Sequence, residues 1–207
     1  MVSYLKNFID KIPDPAFAII PDNWEEFFKN TVSVDARAAY RRNKTAFSIE
    51  KVNVVTDEIS QGIIDIWKSP TIRQGRPINF NYETVNGDKV NIQNKWAIDD
   101  YGAYDFGNTN LELFACRDRD SLKIISYIEL INCNGVSIVH STLCHDDYIK
   151  RNLARYTFMV MIQQKMPNIK YLVYNTYNKS NPSYHFKEDL GIIYHNGIDI
   201  LKKEINE

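Results

Sequence analysis

Cysteine is scarce in this sequence and never closely paired: 207 residues include three, Cys116, Cys133 and Cys144. With no Cys-x-x-Cys spacing they supply neither a disulfide framework nor a zinc site on their own, and the cytoplasm, a reducing compartment, is the expected setting. Net charge is also nearly nil. Twenty-five Lys and Arg face 26 Asp and Glu, a formal charge of −1. That excludes a globally basic nucleic-acid binder and confines any polyanion site to a local patch. No apolar run approaches the roughly 20 residues of a membrane span. The opening MVSYLKNFIDKIPDP is interrupted by Asp10, Lys11 and Pro13, so it lacks a signal peptide's apolar core; no membrane partner is expected. A P-loop, a dinucleotide fingerprint and a Ser-His-Asp signature are all missing. So are internal repeats, low-complexity tracts and Gly/Ser linkers.

What is present is an ordinary soluble composition, 44% hydrophobic and 25% charged, with 13 Tyr and 10 Phe. Asp22-Asn23-Trp24-Glu25 reads as a helix start with Asp22 as cap. A second helix is expected from Ser33, carrying Arg37, Arg41, Arg42 and Lys44, with Arg37 and Arg41 four apart on one face. FSIEKVNVV alternates like a strand. Thr56 then caps a third helix whose buried side is Ile59, Ile63, Ile64, Ile66 and Trp67, ended by Pro70. The middle is rich in strands: YGAYDFGNTNLELFACRD, then LKIISYIELINCN and GVSIVHSTLC, the last two forming a hairpin about INCNG. A helix follows from about Asp146 to Lys165, broken by Pro167-Asn168, and then a strand in IKYLVYNTYN. In SNPSYHFKEDLGI, Asn181 caps, Pro182 opens the helix and Gly191 stops it. IIYHNGIDILKKEI is expected as a closing strand, bent at Asn196-Gly197. The order implies an α/β fold with a mixed sheet.

From SYIEL through YLVYNTYN to NPSYHFKEDLGI, roughly residues 95 to 205, the chain resembles the GNAT acyltransferase fold. That fold places a pattern of Asn, aromatic and Gly on a short helix before its last strands, matched here by Asn181, Tyr184, Phe186, Leu190 and Gly191. The first half is similar to GNAT-like proteins related to the Fem-type aminoacyl transferases, which carry an Arg-Gln-Gly-Arg-Pro phrase after a helix ending in Ser. The resemblance implies one GNAT-like domain over residues 1–207: a mixed central sheet flanked by helices, with an N-terminal helical extension (1–94) before the acyltransferase-like core (95–207). It implies an acyl- or aminoacyl-transferase acting on an amine, the acceptor being a small molecule, a peptide or a nucleic acid. CoA-binding relatives hold the donor's pyrophosphate on a glycine-rich turn after the fourth strand. The corresponding stretch here contains Lys150, Arg151, Asn152, Leu153 and Ala154 and no glycine. Acyl-CoA is accordingly disfavoured as donor, and aminoacyl-tRNA is the other donor the relatives use. Two alternatives stay open: a GNAT-fold enzyme that modifies nucleic-acid bases, and a degenerate, non-catalytic binding protein.

Each candidate residue has a bland counterpart. Arg73, Gln74, Gly75 and Arg76 form a dense donor cluster suited to a phosphate or carboxylate, because guanidinium donors lie in a planar fork; otherwise the arginines pair with neighbouring acids. Lys150, Arg151 and Asn181 join them as donor- or substrate-binding residues. Arg37, Arg41 and Arg42 either contact tRNA or DNA or form a solvated helix face. His145 suits a general base by residue type, and Asp146 beside it either orients it or caps the helix. Glu129 is the alternative base, on the strand where the resemblance implies a carboxylate, or else an outward-facing strand residue. Tyr177, Asn178, Tyr184 and His185 fall where the family contacts the leaving group, and Tyr184 is the implied general acid. Cys144 reads as packing. His140, Cys144 and His145 lack a fourth metal ligand, so no metal is expected.

Overall fold

The computed structural model describes residues 14–53, 56–69, 72–73, 76–77, 110–176, 179 and 184–206. Six strands form one sheet: β1 (Pro15–Ile19), β2 (Phe47–Val52), β5 (Asn110–Asp118), β6 (Ile124–Cys133), β7 (Val136–Cys144) and β8 (Tyr171–Thr176). Their order is β1-β8-β7-β6-β5-β2. All neighbours are antiparallel except β7 and β8, which are parallel. Between β2 and β5 lies a separate two-stranded ribbon, β3 (Ile72–Arg73) with β4 (Arg76–Pro77).

Helices cover both faces. One face carries α1 (Trp24–Glu26, continuing as a π-helical turn to Thr31), α2 (Val34–Asn43), α4 (Leu153–Lys165) and α5 (Tyr184–Asp189). There Phe27, Ala36, Phe158, Met159, Ile162 and Leu190 pack on Phe114, Ile128 and Leu130. The other face carries α3 (Asp57–Lys68), whose Ile59, Ile63 and Ile66 cover Leu113, Ala115 and Tyr127, and α6 (Ile198–Asn206), whose Leu201 and Ile205 cover Ile131, Val136 and Val173. A Cβ on Gly62 would come 2.6 Å from that of Ile124, so glycine is what lets α3 lie close on β6.

The caps follow the polar residues. Ser33 accepts the Ala36 N–H and Thr56 the Ile59 N–H, as expected. The first helix differs by one residue: Asn23, not Asp22, accepts from the Glu26 N–H. The helix expected over Asp146–Lys165 is two pieces, a 3-10 turn (Asp146–Arg151) and α4, separated by Asn152 at φ 55. The expected closing strand is a helix instead. Ile198, Leu201 and Ile205 recur every three or four residues, the period that puts all three on one helical side against the sheet. The sheet edge is already occupied by β1, and the segment keeps only the Phe17–Tyr194 bridge to it. Gly191, at φ +71, does end α5 as expected.

Candidate active site at the β7–β8 split

Parallel pairing of β7 with β8 runs only from Val136↔Tyr171 to Ile138↔Val173, after which the two strands share no pair. On its other side β7 carries a bulge at the same level. Glu129 faces Ser141 and Leu130 faces Val139, which leaves His140 as an extra residue. The bulge breaks the inside-outside alternation of GVSIVHSTLC. It brings His140 and Ser141 together on the face that also holds Glu129 and Tyr127.

Glu129 is fully buried and its Oε2 lies 3.4 Å from His140 Nδ1, itself 5% exposed. Among the described residues Oε1 has no hydrogen-bond partner. Burial raises the Glu129 carboxyl above its ordinary range, and the hydrogen bond and charge of His140 partly oppose that rise. A buried polar atom without a partner is uncommon enough to need a reason. Beside this pair runs a hydrogen-bond chain: Trp67 Nε1 donates to the Tyr127 hydroxyl at 2.8 Å, and that hydroxyl is 3.0 Å from Ser141 Oγ.

The opposite face of the split carries a cation. Tyr174, the residue after the last paired position of β8, packs against Phe158 and Phe186. Lys187 on α5 is 1% exposed, with Nζ 5.3 Å from the Tyr174 ring centre. Burial lowers its ammonium pKa. Tyr184 opens α5, partly buried and edge-on to His185. Asn181, Tyr177 and Asn178 lie outside the described residues.

His145 does not share this site with Glu129. It stands four residues past Ser141, about 13 Å along the chain at the usual strand rise. Its Nδ1 accepts the Asp147 N–H and its ring packs edge-on to Tyr148, so it caps the 3-10 turn. Asp146, the alternative cap, donates its own N–H to Ser69 Oγ. Arg37 is committed too: its guanidinium donates to the carbonyls of Phe28, Lys29 and Val32 and closes the π-helical turn. Arg41 lies over the Phe28 ring.

Arg42 and Asn43 both donate to the carbonyl of Arg151, which joins α2 to the turn before α4. The exposed Arg42, Lys150 and Arg151 therefore share one surface, and Arg151 also lies over Phe47 and Tyr148. In the stretch without glycine, Asn152 takes the left-handed conformation, which Asn tolerates better than most residues. Its side chain accepts from Arg155, which is paired with Asp189 on α5.

Arg73 and Arg76 face each other across the β3–β4 ribbon, with Gln74 and Gly75 outside the described residues. The ribbon starts three residues after Ser69. Chain length alone holds the ribbon's start within about 10 Å of Ser69, whose hydroxyl accepts the Asp146 N–H just past the end of β7. Burial pushes the Cys144 thiol up to about 12, away from the reactive thiolate. Among the described residues no three of His, Cys, Asp or Glu converge where a metal could sit.

Sequence reasoning weighed His140 only as a metal ligand and passed over Ser141, Tyr127, Trp67 and Lys187 as candidate site residues. The available signal was the polar triplet His140-Ser141-Thr142 inside an apolar strand. For Lys187 there was none, since a lysine on a short amphipathic helix ordinarily faces solvent.

No family model and no curated protein matches the chain. Solved structures do. It is similar to FemX, with a TM-score of 0.63 at 10% identity over 89% of this chain and 60% of that one. L-PGS from Bacillus licheniformis gives a TM-score of 0.55 at 10% identity, over 94% of this chain and 66% of that one. A tandem GNAT protein from the clavulanic acid biosynthesis pathway gives 0.54 at 8% identity, over 87% of this chain and 50% of that one. The chain thus spans between half and two thirds of the length of these proteins. Its mixed six-stranded sheet, split between two parallel strands and covered by helices on both faces, is a GNAT-like fold.

Proposed function

We propose that the chain transfers an acyl or aminoacyl group to an amine at the β7–β8 split. The observation that carries this reading is Glu129: a buried carboxyl with one oxygen unpartnered among the described residues, beside His140, where β7 parts from β8. Such a group is poised to take a proton from an ammonium, because a base with a raised pKa is better matched to neutral pH. The amine freed of its proton attacks the donor carbonyl. The new C–N bond forms and the bond to the carrier breaks. Tyr184 is our choice to protonate the departing carrier oxygen, and Arg73 and Arg76 our choice to hold an anionic group of donor or acceptor. Lys187 supplies positive charge on the donor side of the split.

For the donor, aminoacyl-tRNA is favoured over acyl-CoA. Two observations support it: the surface shared by Arg42, Lys150 and Arg151 suits a phosphate backbone, and the turn before α4 has an asparagine side chain where a glycine would let a pyrophosphate approach the backbone.

Thermal shift with acetyl-CoA, with CoA and with charged tRNA tests the donor. A ligand at 100 times its Kd adds about 2.7 kcal/mol of stability. The expected result is a shift with charged tRNA alone. A shift with acetyl-CoA and CoA but none with tRNA would overturn the donor assignment. Silence from all three would overturn the transferase reading in favour of nucleic-acid modification with another donor, or of a non-catalytic fold.

A further inference from the structure

We propose that the Ser141 hydroxyl is the hydrogen-bond donor to the carbonyl oxygen of the transferred group, held in place by Tyr127 and Trp67. The inference rests on the acyl-transfer reading and adds to it the group that meets the oxyanion.

The chain of hydrogen bonds has a fixed direction at its Trp67 end. An indole Nε1–H can only donate, so at the Trp67 contact the Tyr127 oxygen is the acceptor. At the second contact, 3.0 Å long, either hydroxyl can donate, and we take the phenol as the donor to Ser141 Oγ. A serine that accepts from the phenol has its hydrogen to give onward. Ser141 is partly exposed, whereas Tyr127 is fully buried, so the chain runs from the α3 packing outward to a hydroxyl a ligand can reach. That hydroxyl stands directly across from Glu129, and the bulge at His140 places it at the level where β7 leaves β8. A donor fixed before the reaction is worth more than a mobile one, because no reorganisation is needed as charge grows on the oxygen.

In the step itself the amine nitrogen bonds to the carbonyl carbon, whose oxygen becomes an anion accepting from Ser141. The tetrahedral species collapses, the carrier leaves and takes a proton, and the amine's proton ends on the Glu129–His140 pair. Ser141 keeps its proton throughout. Tyr127 and Trp67 touch no reacting atom and are positioning residues.

The test uses the whole chain with charged tRNA, or acetyl-CoA, as donor and hydroxylamine as acceptor, with hydroxamate read above the uncatalysed rate. Hydroxylamine is unprotonated at neutral pH, so its attack does not wait on removal of an ammonium proton. Ser141→Ala should lower kcat about 100-fold with KM unchanged, Ser141→Thr should restore most of it, and Tyr127→Phe should fall between. A second readout needs no turnover: the Trp67 indole N–H resonance should move in both Tyr127→Phe and Ser141→Ala. Wild-type kcat in Ser141→Ala, a loss confined to KM, or an unmoved indole resonance in Ser141→Ala would overturn the assignment while leaving acyl transfer intact. If the wild type accelerates neither donor, the acyl-transfer reading fails and the role of Ser141 with it. The indole shift would then show only that the chain of bonds exists.

Discussion

Replacing Glu129 with Gln should change how stability depends on pH more than it changes stability at any one pH. The carboxyl is fully buried and its pKa is raised, burial outweighing the hydrogen bond and charge of His140. The sign follows from proton binding. Between the unfolded pKa, about 4.3, and the raised folded value, the native state holds a proton that the unfolded state has lost. Glu129's contribution is therefore fully present below the unfolded pKa and is lost as pH rises through the folded one. Across that window one proton is worth about 1.4 kcal/mol per pH unit. An amide at this position cannot ionise, so Glu129→Gln should gain on the wild type by that slope until the folded pKa is passed, and run parallel to it above. In a chain of this length each kcal/mol moves Tm by about 2–4 °C. Urea unfolding of both proteins at half-unit steps from pH 4 to 8 measures the difference directly. Parallel curves over the whole range would mean that the carboxyl is hydrated in solution, and the candidate base would lose its defining property.

His140→Ala should widen the same window upward, because His140 is the group that opposes the rise in the Glu129 pKa; a carboxyl followed by NMR in a ¹³C-glutamate sample should titrate at higher pH than in wild type. Gly191→Ala should cost more than the roughly 1–2 kcal/mol usual for alanine in the left-handed region, since φ is +71 and the new Cβ would collide with Thr31 Cγ2. Thr31→Ala in that background should recover part of the loss by urea unfolding, and no recovery would show that the contact is not the cause. Arg151→Ala should weaken binding to charged tRNA and reduce the salt slope of log K by about one contact's worth; an unchanged slope would remove Arg151 from the phosphate surface.

Individual elements were legible where a local signal settles them. Ser33 and Thr56 are polar residues before apolar helical periods, and each caps the helix it announces. The β6–β7 hairpin is legible because two apolar runs flank Asn134-Gly135, and both of these residues take positive φ. The segment from Ile192 to Ile205 was misread because its start is strand-like while its end has helical spacing. Only the sheet decides between them, through an edge already filled by β1. That strand was itself overlooked, since PAFAI is short and begins with a proline. At the candidate site, the resemblance singled out Glu129 as one of two possible bases, and its burial came only with the fold. His145 was favoured by residue type, and type says nothing about a strand rise of four residues.

Side-chain chemistry and spacing within a few residues were enough to set which segments have an apolar side and where several helices and turns begin. They also established that no charge excess or long apolar run would carry function. Assembly of the fold was needed to part β7 from β8 after Ile138, to turn His140 towards Glu129 through the bulge, and to spend Arg37 on backbone carbonyls. Each depends on a packed structure that brings distant partners together: Trp67 is 60 residues from Tyr127, and Asn43 is 108 from Arg151. Burial is a property of the assembled fold, and burial is what makes one of this chain's many carboxylates a candidate base.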